Sequence, residues 1–363
     1  MVPEPVAKAV LDALIDVEVT NSASSDSGFQ LSFAFSSKSP LNALLLLLAK
    51  VGPLIRVIIL VNIKGRQHVL IDGVISTHQL SPNVQTGQSI LTVNGFDLTT
   101  VMNLKPFTGI PYPDMPAEAR VAQIIEKYAE FGIVSNVIDS VFKDMPIRSN
   151  RIPIHQGTDL DYVKLLARDV GHVFYLEPGP SPGSSTAYWG PELKVGPPQP
   201  ALNINMDIHT NIESLNFTFN GDSKEIPVVY IQNEETNESD SITIPVSDIN
   251  SLNPPLGSIP PFASRFPKIR NTAHLKPVQA KALGLAEASR TADALTGSGT
   301  LNVLRYGQVL KARALVGVRG ACEAFNGLYY VKSVTHKIKR GEYKQDFTLS
   351  RNGLVSTEKR VLV

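Results

Sequence analysis

Residues 327–353 read Gly-Leu-Tyr-Tyr-Val-Lys-Ser-Val-Thr-His-Lys-Ile-Lys-Arg-Gly-Glu-Tyr-Lys-Gln-Asp-Phe-Thr-Leu-Ser-Arg-Asn-Gly. After the turn at Arg340-Gly341-Glu342, the residues Tyr343, Gln345, Phe347 and Leu349 alternate with Lys344, Asp346, Thr348 and Ser350. A period of two marks a strand with one face on a core and one in water. Before the turn Leu328, Tyr330, Val334 and Ile338 share a face, so the stretch predicts a β-hairpin closed by a glycine-containing loop.

The same layout occurs near the start of the chain. Leu70, Thr77, His78, Leu91, Asn94 and Gly95 recur as Leu328, Thr335, His336, Leu349, Asn352 and Gly353, each 258 positions later. Both copies follow an apolar strand, residues 54–63 and 309–318. This ordered recurrence predicts an internal duplication, which decides the fold class.

At 363 residues the chain has room for two or three domains. Its net charge of +1 gives no global attraction to nucleic acid or anionic membrane. The lone Cys322 excludes an internal disulfide framework. The N-terminus lacks a basic leader region. The most apolar zone, 41–63, is interrupted by Asn42, Lys50, Pro53 and Arg56, well short of the roughly 20 residues of a spanning helix. It predicts a buried helix over 41–49 followed by a strand over 55–63, and no stable membrane insertion.

Further elements follow from local signals. Residues 1–17 suggest a short helix or arm, 21–28 a serine-rich turn, and 29–35 a strand. Strands are expected over 68–80 and 89–93. Pro116 opens a helix with Val121, Ile124, Ile125 and Tyr128 on one face and Gly132 as its stop. Thr158 and Asp161 form a capping box for a second helix that Gly171 closes, before a strand over 172–176. Residues 178–200 are rich in Pro, Gly and Ser and read as a loop or boundary. Strands resume over 204–208 and 214–219, and 245–277 is a proline-rich extended excursion. Val278, Ala282, Leu285, Ala288, Ala292 and Leu295 mark a third helix, with Gly297-Ser298-Gly299 as its end.

The chemistry-bearing motifs are missing. The sequence contains no GxSxG, HExxH, P-loop or GxGxxG pattern, and its histidines are scattered. The expectation is no catalytic, cofactor-binding or metal-binding residues. The most enzyme-like cluster is His155 with Asp159 and Asp161: a general base beside carboxylates, or aspartates that cap a helix. The capping reading is preferred. His78 and His336 occupy matching repeat positions and are read as strand-face residues on a polar rim rather than a symmetric metal or pH site. Tyr329, Tyr330 and Tyr343 form either a carbohydrate platform or, preferred here, core and subunit contacts. Lys332, Lys337, Lys339 and Arg340 are read as a solvated strand edge rather than a nucleic-acid surface.

An ordered set of features carries a resemblance: Val93-Asn-Gly-Phe-Asp-Leu98, the helix over 116–131, and His155-Gln-Gly-Thr-Asp-Leu-Asp-Tyr-Val-Lys-Leu-Leu-Ala-Arg-Asp-Val-Gly171. Gly327-x-Tyr-x-Val-x-x-Val-x-His336 with Phe347-x-Leu-x-Arg351 completes it. Together they resemble the phage late control protein D family, the baseplate hub proteins of contractile tails, and the N-terminal hub part of type VI secretion spike proteins. The resemblance implies a mainly β, α+β chain with two duplicated tube-like β-barrels, a helix-containing α/β middle domain and an extended insertion. The implied domains are 1–103, 104–200 and 201–363, the last interrupted at about 233–299. The implied function is a structural, non-enzymatic symmetry adaptor in a virion tail baseplate or injection particle, assembled in the bacterial host cytoplasm. Three chains with two barrels each would join a trimeric spike to a sixfold tail tube. Implied partners are two further copies, a separate spike protein, tail tube or tube-initiator protein, baseplate wedge proteins and a tape measure protein, with DNA only as transiting cargo. A chain ending at Val363, without a downstream needle or a lysozyme-like insert, leaves the spike tip to another protein. The sheets should come from 55–93 and 309–349, with Lys344, Asp346, Thr348 and Ser350 facing a polar lumen. Subunit contacts are expected from the helix over 160–170 and the excursion. The alternatives are a cell-wall hydrolase using His155 and a carbohydrate- or receptor-binding tail protein.

Overall fold

The computed structural model describes residues 3–358 apart from 37–38, 40, 43–54, 83–88, 142, 150, 233–238, 244–251, 263–264, 271 and 274. Most of the helix expected over 41–49 and the loop before Gly87 lie outside the described residues. The chain is mainly β with several sheets. It opens with α1 (Lys8–Ala13), β1 (Leu14–Ser22), β2 (Gly28–Phe35), β3 (Arg56–Ile63), β4 (Arg66–Pro82) and β5 (Ser89–Asp97). The short helix expected within 1–17 is α1, and β1 follows where no strand was expected. Its Val17 and Val19 are buried while Asp16, Glu18 and Thr20 face outward, the same alternation that marks the C-terminal hairpin.

A helical segment follows: α2 (Thr99–Met102), α3 (Ala117–Glu126), β6 (Ile133–Val137), α4 (Asp159–Asp169), β7 (Val173–Pro178) and β8 (Ser185–Gly190). The capping box at Thr158 and Asp161 is present, and Gly132 takes a φ of 77° after the helical turn. The loop expected over 178–200 is corrected by β8, the central strand of the sheet β6-β8-β7. Its Ala187 and Trp189 are fully buried in the core shared by α3 and α4. Flanking Pro, Gly and Ser obscured this short aromatic strand.

The remainder comprises β9 (Gln199–Asn203), β10 (Ile212–Phe219), β11 (Val228–Gln232), β12 (Ser239–Thr243), β13 (Gly257–Ile259), β14 (Lys268–Ile269), α5 (Pro277–Arg290), β15 (Leu295–Asn302), α6 (Val303–Tyr306), β16 (Leu315–Arg319), β17 (Gly327–Lys339), β18 (Glu342–Arg351) and β19 (Leu354–Ser356). Three expectations are corrected. The strand expected over 204–208 is β9, which ends at Asn203, and Ile208 is 93% exposed. The apolar strand expected over 309–318 begins only at Leu315. The third helix ends at Arg290, and Gly297-Ser298-Gly299 lies inside β15. There the glycines permit close approach: a Cβ on Gly299 would run into the Ser214 carbonyl oxygen and sit 2.9 Å from the Phe347 ring, and one on Gly297 would sit 3.0 Å from the Phe217 ring.

The main sheet runs β10-β15-β18-β17-β1-β2-β5-β4-β3, with β16 beside β17. Two strand sets therefore follow one order, β1-β2-β5-β4-β3 and β10-β15-β18-β17-β16, antiparallel throughout. Two bulges coincide as well, while a third, at Leu70 in the pairing of β3 with β4, has no counterpart in the unbroken pairing of β16 with β17. Ile15 and Glu213 are each skipped in the first pairing, and Ser76 and Lys332 in the pairing of the long hairpin. Aligned on the latter bulges, Thr77 corresponds to Ser333 and Leu80 to His336, an offset of 256. Four of the six identities at 258 thus fall on corresponding strands, two residues out of register in β4 and β17, while Asn352 and Gly353 lie beyond the end of β18. The Lys332 bulge also reverses the side-chain phase: Tyr329, Val331 and Val334 share a core, and Leu328 and Tyr330 point elsewhere, against the single face expected.

Each set has its own apolar core, Val19, Phe29, Leu91 and Val93 in the first and Leu295, Val334, Phe347 and Leu349 in the second. Two arginines fasten them to the middle segment. Arg56 binds the buried Asp72 through two contacts of 2.7 Å and donates to the Phe131 and Gly183 carbonyls. Arg313 donates to the Ser22 carbonyl, the Ser27 hydroxyl and Glu177, and lies 4.1 Å from the Tyr175 ring centre. Breaking the Arg56–Asp72 pair strands a fully buried carboxylate, at a cost of about 3–5 kcal/mol, whereas Glu177 is partly exposed and its pair is worth less.

Candidate functional site

The two sets are joined inside the chain by β1 on β17, from Asp16 opposite Lys339 to Ser22 opposite Ser333. This joint makes a continuous polar face. Asn302, Lys344, Lys337, Glu18, Gln30 and Asn94 stand side by side across six strands. A second row runs Thr300, Asp346, Thr335 and Thr20. Thr20 and Thr335 hydroxyls meet at 3.0 Å across the joint, and the Thr300 hydroxyl donates to Asp346 at 2.7 Å. The charges are neutralised within the sheet: Lys337 pairs with Asp346 at 2.6 Å, and Lys344 with Glu213 and Glu342 at 2.9 and 2.7 Å. Such half-exposed pairs add little stability, but they leave a hydrophilic face with few free charges.

Lys344, Asp346 and Thr348 of the expected lumen set sit on this face and are partly exposed. Ser350 does not; it is fully buried. Tyr329, Tyr330 and Tyr343 are buried core residues, which removes the carbohydrate platform. Lys332 is tied to Asp293 at 2.9 Å, and Arg340 donates to the Asp12 carbonyl. Leu160, Val163, Leu166 and Ala167 of α4 are buried within this chain, which leaves its exposed Asp161, Lys164 and Arg168 side for the expected subunit contact.

The polar-rim reading of the histidines is corrected for His336. His78 is exposed, whereas His336 is buried, with Nδ1 at 2.7 Å from the Tyr343 hydroxyl. Burial lowers the His336 pKa to about 3. His172 is likewise held down, to about 4, by burial against Trp189.

The His155 cluster is enclosed. His155 is fully buried and its Nε2 lies 2.9 Å from Asp159. Asp159 also accepts from Lys127 Nζ at 3.1 Å and from the Tyr128 hydroxyl at 2.8 Å. Only Asp161 serves the helix cap; Asp159 turns inward, which corrects the expectation that both cap the helix. Burial lowers the His155 pKa, opposed by the Asp159 hydrogen bond. Tyr162 packs at 4.4 Å from the imidazole and leaves no approach for a substrate. The cluster fastens the 106–112 segment to the start of α4.

Several strand edges, the outer side of β3 among them, lack a strand partner among the described residues, and two of these match the joint of β1 with β17. One is the side of β10 away from β15; the other is the side of β4 beyond Gly73 that faces away from β5. Sequence reasoning missed both, because an edge is defined by what the rest of the chain fails to cover.

No protein-family description matches this chain, and no curated protein sequence is similar to it. Solved structures do match. A tail protein from Neisseria meningitidis matches with a TM-score of 0.62 at 12% identity, over 94% of this chain and 93% of that one. The 43 kDa tail protein of prophage MuSo2 from Shewanella oneidensis matches with a TM-score of 0.62 at 12% identity, over 93% and 94%. A type VI secretion system component from E. coli, itself similar to T4 bacteriophage tail proteins, matches with a TM-score of 0.53 at 12% identity, over 97% of this chain and 75% of that one. The chain therefore has the fold of phage tail proteins and of that secretion component.

Proposed function

We propose that the chain is the structural baseplate hub of a contractile phage tail or phage-like injection particle. It adapts a trimeric spike to a sixfold tube through two tube-like barrels per chain. The observation that carries this reading is the twofold recurrence of one strand plan with coincident bulges. The domains are 1–103, 104–200 and 201–363, with an insertion at about 233–299 whose last residues already run in β15.

The edges supply the assembly rule. Within the chain β1 covers the free side of β17. By the recurrence, β10 corresponds to β1 and β4 to β17. The leftover β10 edge therefore fits the leftover β4 edge of a second copy, with Thr218 opposite Gln79 and Phe217 opposite Leu80. Heterologous contacts of this kind close into a ring, and two barrels per chain need three chains for sixfold symmetry. The polar face would line the channel, so that passing cargo, including DNA, finds no apolar surface to adhere to. The role is non-enzymatic. Partners are the spike, the tube or its initiator, wedge proteins and a tape measure protein, and the location is the virion tail, assembled in the host cytoplasm.

Light scattering tests the reading. The purified chain, alone or mixed with the spike protein encoded beside it, is expected to form a three-chain species. A monomer that ignores every tail component would refute it, and would return attention to a hydrolase or receptor-binding role.

A further inference from the structure

A cleft of about 110 Å³ opens where the two strand sets meet the middle segment. Its floor holds Leu70, Leu310 and Ala312, all buried, and its rim holds the exposed Gln67 and Lys311. One wall is a strand edge. In β4 the Gln67–Val69 stretch pairs with β3 on one side, with Leu70 skipped at a bulge, and β5 begins pairing only at Gly73. On the cleft side the Leu70 carbonyl accepts from the Asn21 amide at 3.1 Å, and no strand covers the rest among the described residues. A bare edge of this kind takes another strand.

The charge at the cleft is one-sided. Arg313 is occupied by Glu177 at 2.7 Å. Lys311 and, on the adjoining hairpin turn, Lys64 and Arg66 have no carboxylate within ion-pair distance among the described residues, whereas Lys194, Lys332, Lys337 and Lys344 are all paired. Lys311 and Arg66 stand close enough to His68 to oppose its protonation, after burial. Unpaired cations beside a bare edge and an apolar floor select one kind of occupant. A nucleic acid would find a narrow site partly walled by Glu177 and without a flat aromatic face.

We propose that this cleft docks an extended acidic segment of a separate partner protein, added as a strand to the β4 edge. Its carboxylates face Lys311 and Arg66, and its alternate apolar side chains lie on Leu70 and Leu310. The main chain supplies affinity, and the cations fix register and sign of charge.

The probe is a fluorescein-labelled eight-residue peptide of alternating Val and Glu, titrated into the full chain. We expect saturable binding that weakens with salt and falls about tenfold or more in Arg66→Glu/Lys311→Glu, whose circular dichroism stays that of the parent. N-methylation of alternate peptide nitrogens is expected to abolish it, a readout independent of protein folding. Equal binding by the charge-reversed protein, by the N-methylated peptide or by a Val-Lys peptide would overturn the proposal. So would no binding at all, or a DNA oligonucleotide held more tightly than the peptide and lost in the same double variant. A second copy as occupant would show as competition by this chain's own acidic segment 233–240 that outmatches the probe, and would overturn the separate partner.

Discussion

The strands β4 and β17 occupy the same place in the two sets and live in opposite surroundings. Both carry a one-residue bulge and both pair with a following strand in register with it. Yet β17 is covered by β1 and buries His336, while the matching Leu80 on β4 is 42% exposed. One plan has been used twice, with its joint closed once inside the chain and left open once. A second contrast lies next to it. The first set carries the ion pair of Arg56 and Asp72, where the second has Leu315 and Leu328, both buried. The Arg56 guanidinium also reaches the middle segment, which Leu315 has no means to do.

The largest effect should come from that second contrast. Arg56→Ala leaves the Asp72 carboxylate buried without its cation and should cost about 3–5 kcal/mol in urea unfolding. Converting the site to its counterpart, Arg56→Leu with Asp72→Leu, should recover most of the loss, leaving at most about 2 kcal/mol for the two abandoned carbonyls. A double variant as unstable as Arg56→Ala would break the equivalence of the two sets.

Acid should act next. His336 and His172 are held neutral, at about 3 and about 4, against about 6.5 in the unfolded chain. The unfolded state therefore binds more protons below pH 6.5, and stability falls as pH drops from there toward the folded values. At pH 5 each group should cost about 2 kcal/mol. Denaturation midpoints measured from pH 7 to 4.5 check this, and His336→Leu, the residue found in β4, should flatten the slope. An unchanged slope would show that His336 does not titrate between the two states.

The smallest folding effect belongs to the open edge. Leu80→Lys should change the stability of the isolated chain by no more than about 0.5 kcal/mol. It should nonetheless weaken self-association at least about tenfold in sedimentation, because it places a charge where a second strand must lie. Equal association of parent and variant would mean that this edge is not the contact.

These contrasts also show what the sequence discloses. The hairpin of β17 and β18 and the capping box at Thr158 were legible because alternation and cap chemistry are local. The likeness to tail proteins was legible for the same reason, since its motifs sit on such elements. The Lys332 bulge was not legible, because a skipped residue depends on the partner strand, and its phase reversal misplaced Tyr330. Gly297 and Gly299 read as a helix stop, although the Phe217 ring beside the one and the β10 backbone beside the other leave little room for a side chain. His336 looked like a rim residue because the groups that take it out of water, Tyr343, Gln345 and the strand β1 overlooked at Leu14–Ser22, come together only in the folded sheet. The two edges and the cationic cleft arise where distant segments meet, and no local pattern announces them.

The central claim is that the β10 edge takes the β4 edge of another copy as β17 takes β1. In a Cys322→Ser background, Thr218→Cys with Gln79→Cys should oxidise to covalent oligomers ending at three chains, in the isolated protein or on the spike. Thr20→Cys with Thr335→Cys, the matching pair inside the chain, should close without raising the mass. A Thr218–Gln79 pair that stays monomeric while the internal pair closes would contradict the account.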